Sequence, residues 1–154
     1  MTLHNWQSMG RSFDYNGHAI FFVDTQTHTQ TQTPTLLLIH GFPTASWDWS
    51  RLWPRLSEHF RVVAPDMIGF GFSDKPRDYP YRIADQADLI EALAGHLGLK
   101  EVHVLAHDYG DTVAQELLAR RRSGQLDFRL LSVALLNGGL FPQSVDVPRF
   151  SKIA

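Results

Sequence analysis

Val102-His103-Val104-Leu105-Ala106-His107-Asp108-Tyr109-Gly110-Asp111-Thr112-Val113-Ala114 is the stretch on which the reading of the fold turns. A short apolar run ends in small-x-Asp-x-Gly, and a helical pattern starts at once. That order predicts strand, tight turn and helix, with the central residue lifted to the tip of the turn, as in a nucleophile elbow. Small residues are needed at Ala106 and Gly110 because such a turn brings the strand and helix backbones close together. The tip usually holds Ser; here it holds Asp108, over the amino end of the next helix, whose unpaired N–H groups favour a carboxylate. A carboxylate nucleophile forms an ester, which suits opening of C–O or C–halogen bonds at saturated carbon. The same window also fits an ordinary Asp capping a helix after a strand.

Outward from this window the chain alternates strands with helices. Leu36–Ile39 is apolar without alternation, as for a strand buried on both faces of a parallel sheet, and it runs into His40-Gly41-Phe42-Pro43. Trp47–Leu56 reads as a helix that Pro54 strains or shortens. Phe60–Ala64 is the next strand, ending at Pro65-Asp66. Ile68–Ser73 is a glycine-rich turn whose order does not match G-x-G-x-x-G, which argues against a dinucleotide site. Ile83, Ala87, Ile90, Leu93, Ala94 and Leu97 share one helical face, with Gly98 as a stop. Thr112–Arg122 is predicted to be a helix burying Val113, Ala114, Leu117 and Leu118. Leu130–Leu136 reads as a further buried strand closed by Asn137-Gly138-Gly139. Before all of these, Arg11–Tyr15 and His18–Asp24 flank Asn16-Gly17, a hairpin signal for a type I′ turn. Alternating strands and helices predict an α/β fold with a doubly wound, mostly parallel sheet.

Composition sets the class. The 154 residues fit one domain, and 44% apolar with 19% charged residues is ordinary globular composition. A net charge of −2 and the lack of a basic stripe argue against nucleic acid as a partner. Arg120-Arg121-Arg122 reads as a solvated last helical turn, where the helix dipole favours cations. Without cysteine there is no disulfide framework and no thiolate, either as nucleophile or as metal ligand. No metal site and no cofactor are expected. Thr25–Pro34 is polar and low in complexity, and reads as an exposed loop in which His28 is solvated. The amino terminus lacks a signal-peptide pattern, and no apolar run spans a membrane. A soluble cytoplasmic protein is therefore the expectation.

Three separated stretches, His40-Gly41-Phe42-Pro43, Asp66 to Pro76 (DMIGFGFSDKP) and His107-Asp108-Tyr109-Gly110-Asp111, resemble the α/β-hydrolase superfamily. More narrowly they resemble its Asp-nucleophile branch, the epoxide hydrolases and haloalkane dehalogenases. Val113 to Leu118 (VAQELL) and Asn137 to Pro142 (NGGLFP) look closest to the mesoderm-specific transcript protein subgroup. The resemblance covers about residues 8 to 145. It implies Asp108 as nucleophile, with the backbone N–H groups of Phe42 and Tyr109 as oxyanion donors. It further implies that Pro43 fixes the loop bend, through a cis peptide in the family's pattern. His40 matches a structural brace, and Gly41, Pro43, His107 and Gly110 support the turn. Asp66 and Ser73 hold loops.

Departures from the branch bear on substrate. The dehalogenases place Trp after the nucleophile and often a polar residue after His-Gly; here Tyr109 and Phe42 stand there. Haloacetate dehalogenases use Arg one and four residues past the nucleophile; Tyr109 and Thr112 take those positions. His-Gly-Phe-Pro is the commoner pattern among epoxide hydrolases, so the implied substrate is a small apolar electrophile, an epoxide ahead of a haloalkane. A non-catalytic hydrolase-like binding scaffold is the third reading. The resemblance also implies a longer protein, with a helical cap, two more strands, an acid and a His base after Leu136. On that reading residues 1–139 are the N-terminal part of the core and 140–154 the start of a cap or linker. The chain alone would not turn over, and its bare sheet edge would pair with a companion C-terminal half or self-associate.

Overall fold

The computed structural model describes residues 1–25 and 33–139. Most of the polar loop with His28, and the whole 140–154 segment, lie outside the described residues. Helix α1 is Leu3–Met9, followed by strands β1 (Gly10–Tyr15), β2 (His18–Asp24) and β3 (Thr35–Ile39). Helix α2 (Trp53–Ser57) and strand β4 (Arg61–Pro65) come next, then α3 (Ile83–His96), β5 (Glu101–His107), α4 (Tyr109–Ser123) and β6 (Arg129–Leu136). The six strands form one sheet in the order β1-β2-β4-β3-β5-β6. β4, β3, β5 and β6 run parallel, and β1–β2 is an antiparallel hairpin joined to β4. The expected α/β, mostly parallel sheet is what forms.

At the hairpin Asn16 and Gly17 both adopt positive φ, 53° and 81°, the pair of values that a type I′ turn demands. β3 is buried along its whole length, which is why its sequence does not alternate. Its residues still divide by face. Leu37 and Ile39 pack with Ile90, Leu93, Val113 and Leu117 of α3 and α4, whereas Leu36 and Leu38 pack with Trp6, Trp49 and Trp53. Helices thus cover both faces of the sheet, and β3, lying between β4 and β5, carries its carboxyl end into the middle of the molecule.

Three elements differ from the expectation. α1 was not anticipated: Thr2 caps it, its Oγ1 accepting from Asn5 N–H at 3.2 Å. Only Trp6 of its seven residues is buried; its Nε1–H donates to Ser46 Oγ at 3.1 Å, and its ring meets Trp53 edge-on. The single helix expected over 47–56 is instead a 3₁₀ segment, Ser46–Arg51, followed by α2. Pro54 sits in the first turn of α2, where a missing N–H costs nothing, so it starts a helix rather than straining one. Leu130–Leu136 is a strand at the sheet edge, as the bare-edge reading has it, but it is not buried along its length: Leu130 is buried while Leu131 and Leu136 are exposed. Arg120 also departs from a solvated role: it bridges α4 to α3 through Asp88 and Glu91 and pairs with Glu116 on its own helix. Among the described residues no helix is long and apolar enough to cross a membrane.

Candidate active site

The site is built where β3 and β5 end. β5 stops at His107, Asp108 turns the chain at φ 53° and ψ −116°, and α4 begins at Tyr109. A non-glycine residue at such angles is strained, and the surroundings must hold it there. They do: Asp108 N–H donates to Leu136 O at 3.0 Å, and Asp108 O accepts from Asp111 N–H at 3.0 Å. Gly110 lets the helix start seat against β3, since a Cβ there would lie 2.5 Å from Ile39 O and 2.6 Å from His40 O. Gly41 serves the returning loop in the same way, because a Cβ there would stand 2.7 Å from Asp108 Cβ and 2.9 Å from His107 Nδ1.

That loop brings the Phe42 N–H to Asp108 Oδ1 at 2.9 Å, and the Phe42–Pro43 peptide is cis. One carboxylate oxygen is thereby oriented by a main-chain donor from a different strand end, 66 residues away. Tyr109 opens α4, so its N–H belongs to the first turn, where no intrahelical acceptor exists. The structure therefore brings Asp108, Phe42 and Tyr109 together at one bend, with His40, Gly41, Pro43, His107 and Gly110 around them.

His40 is fully buried, and both of its nitrogens are engaged. Nε2 accepts from Met67 N–H at 3.0 Å, which leaves Nδ1–H to donate to Gly41 O at 2.9 Å. This is a neutral imidazole bracing the loop. Burial pushes its pKa below the usual 6.5, against the opposing pull of the Gly41 carbonyl and of Asp66 and Asp48. A stability effect follows. Below about pH 6.5 the unfolded chain protonates this His more readily than the folded one does, so stability falls as the pH drops through that region. Stability in denaturant unfolding is therefore expected to fall as the pH is lowered through that region, with the folded His40 ring titrating below the usual value. Ordinary titration of the folded His40 near pH 6.5 would contradict this.

Asp66 is also fully buried, and its two oxygens accept from Ser46 N–H at 2.7 Å and Phe72 N–H at 2.6 Å. Ser73 Oγ donates to Asp66 O and accepts from Phe21 N–H. Both residues tie loops to the sheet. Asp111 carries a role the motif did not reveal. In the first turn of α4, its Oδ1 accepts from Leu136 N–H at 3.3 Å, and its carboxylate fills the space where a side chain at Gly138 would stand. Burial raises its pKa, while the backbone of Leu136 and Gly138 and the nearby His107 draw it back. The signal for this contact was the bare glycine pair after β6.

A cleft of about 360 Å³ is walled by Phe42, Gly69, Phe70, Tyr81, Gln86 and Tyr109, of which Phe42 bonds Asp108 and Tyr109 follows it in the chain. Phe70 stands 6.3 Å from the Phe42 ring and 5.8 Å from that of Tyr109. Among the described residues no group of three or more His, Asp or Glu is placed to hold a metal ion.

Comparison with known proteins agrees with the fold. The family model described as alpha/beta hydrolase fold matches residues 34–150. The mesoderm-specific transcript homolog protein of Bos taurus is 49% identical over 149 residues, covering 93% of this chain and 44% of the relative. A haloalkane dehalogenase of Mesorhizobium japonicum is 40% identical over 88 residues, 57% of this chain and 28% of that protein. Among solved structures, a haloalkane dehalogenase loop variant from Bradyrhizobium elkanii superposes with a TM-score of 0.70 at 32% identity, over 82% of this chain and 39% of that one. The chain spans less than half the length of these relatives.

Proposed function

The chain belongs to the α/β-hydrolase fold family, and from that premise we propose that Asp108 is a carboxylate nucleophile acting on epoxides. The observation that carries this reading is the 2.9 Å hydrogen bond from Phe42 N–H to Asp108 Oδ1, made to a residue held at positive φ between strand and helix. In the reaction an Asp108 oxygen attacks a ring carbon, the C–O bond breaks, and the ring oxygen takes up a proton from solvent. The product is a hydroxyalkyl ester on Asp108. Hydrolysis of that ester needs an oxyanion site, for which the Phe42 and Tyr109 N–H groups are the candidate donors, each worth roughly 2.7–4 kcal/mol in a comparable site. It also needs a base to activate water. Both nitrogens of His40 are committed, so the ester formed on the described residues is expected to persist.

A second reading is halide displacement by the same carboxylate, favoured by the dehalogenase relatives. It lacks an indole N–H for the departing halide, because Tyr109 follows the nucleophile. Incubation with styrene oxide should add the mass of one epoxide, mapped by peptide sequencing to Asp108. 1-Bromobutane should release much less bromide over the same time. An unshifted mass, or a label on another residue, would refute the nucleophile; faster bromide release would replace the epoxide by the haloalkane.

A further inference from the structure

The bend that carries Asp108 is closed by a circuit of three hydrogen bonds. Asp108 N–H donates to Leu136 O at 3.0 Å, Leu136 N–H donates to Asp111 Oδ1 at 3.3 Å, and Asp111 N–H returns to Asp108 O at 3.0 Å. Two of these bonds join main-chain groups; the third needs the Asp111 carboxylate. In the first turn of a helix a carboxylate ordinarily faces solvent near the unpaired N–H groups of its own helix. Asp111 is instead only 1% exposed, and the main chain of Leu136 and Gly138 supplies its hydrogen bonds. One turn further along α4, Gln115 Nε2 donates to Gly139 O at 3.2 Å. The chain leaving β6 is thus fastened to α4 at Leu136, Gly138 and Gly139. Between the first two, Asn137 takes a positive φ of 59°, and at Gly138 a side chain would strike the Asp111 carboxylate.

We propose that Asp111 is a positioning residue for the nucleophile: its carboxylate holds Leu136, and Leu136 O in turn holds Asp108 at the angles that aim it at Phe42 N–H. A non-glycine residue at φ 53° and ψ −116° keeps those angles only while its surroundings enforce them. Both main-chain groups of Asp108 are tied, and each tie leads to Asp111, one through its N–H and the other through Leu136. Without the carboxylate, Leu136 N–H loses its acceptor, and the strand end that receives Asp108 N–H is no longer anchored to α4. Asp111 does not wall the cleft, so its effect falls on the reacting geometry and not on binding. The inference rests on the reading of Asp108 as nucleophile for what the positioning serves; the hold on the bend is independent of it.

The test follows labelling by styrene oxide at increasing concentration. In Asp111→Leu the maximal rate should fall on the order of 10²-fold, the cost of about 1 Å of misplacement, with the half-saturating concentration unchanged. Asp111→Asn, whose amide oxygen still accepts from one of the two N–H groups, should regain most of that rate. A folded Leu variant that labels at the native rate, or an Asn variant as slow as the Leu one, overturns the proposal. A second measurement needs no alkylation: hydrogen exchange of the Asp108 amide in Asp111→Leu and in Gly138→Ala, which keeps Asp111 but crowds its carboxylate. That amide should exchange about tenfold faster than in the native protein, the scale of one neutral hydrogen bond, while the amides of β3 exchange as before. Unchanged protection of Asp108 in the folded variants overturns the proposal. Absent labelling of the native protein, with the faster exchange retained in the variants, would count against the nucleophile and leave the hold of Asp111 on the bend supported.

Discussion

Replacing Asp108 by Asn is expected to abolish epoxide labelling, by roughly 10⁴-fold or more, the scale of loss when an enzyme loses its nucleophile, while leaving the fold intact. The chemistry and the architecture of this position separate cleanly. An amide oxygen is a poor nucleophile toward saturated carbon, whereas a carboxylate forms the ester directly. The structural demands on the residue are a positive φ of 53° and an acceptor for Phe42 N–H. Asn satisfies both, because it is among the few non-glycine residues that tolerate positive φ, and its Oδ1 can take the same bond. The melting temperature should therefore stay within a few degrees of the native value. Residual labelling at the native rate would mean that another group reacts. Loss of labelling together with collapse of the fold would mean that the negative charge, and not its nucleophilicity, is what the bend requires.

Much of this site could be read from the sequence because it is made of steric necessities. Gly41 and Gly110 are glycines since a Cβ would meet other main chain or the nucleophile itself. Such constraints leave their mark at fixed spacing. The buried β3 was legible for a related reason: with both faces covered, every position after Thr35 is apolar. What remained hidden depended on partners far along the chain. α1 buries one residue in seven, so no helical period marks it, and Trp6 finds its place through Ser46, Trp47 and Trp53. Pro54 carried the right information, a helix boundary, but the direction was ambiguous until α2 was seen to begin there. The role of Asp111 depends on a glycine 27 positions later. Arg120 looked like a dipole-favoured surface cation because Asp88 and Glu91 lie on another helix. Local spacing reports contacts made within a turn or two, and Trp6, Asp111 and Arg120 are each defined by a contact with a segment distant in the chain.

Gly110→Ala should be the most damaging substitution that adds only a methyl group. The new Cβ would lie 2.5–2.6 Å from the carbonyl oxygens of Ile39 and His40. Those atoms are main chain at the end of a strand buried on both faces, so they cannot turn aside as a side chain would. Either α4 lifts away from β3 or the His40–Gly41 segment is pushed outward. Overpacking of this kind costs about 1–3 kcal/mol. Either movement also withdraws Phe42 N–H from Asp108, and a misplacement of about 1 Å can cost on the order of 10²-fold in rate. Labelling of Asp108 should therefore fall by about that factor even at temperatures where the variant is folded. Gly95→Ala is the matched control. Gly95 lies inside α3 with open space around its Cα, so a methyl group there meets nothing. Its helix propensity should raise stability by up to about 1 kcal/mol without altering the labelling rate. Equal labelling by both variants would show that α4 and the loop after β3 do not need their present contact, and that the bond between Phe42 and Asp108 survives without it.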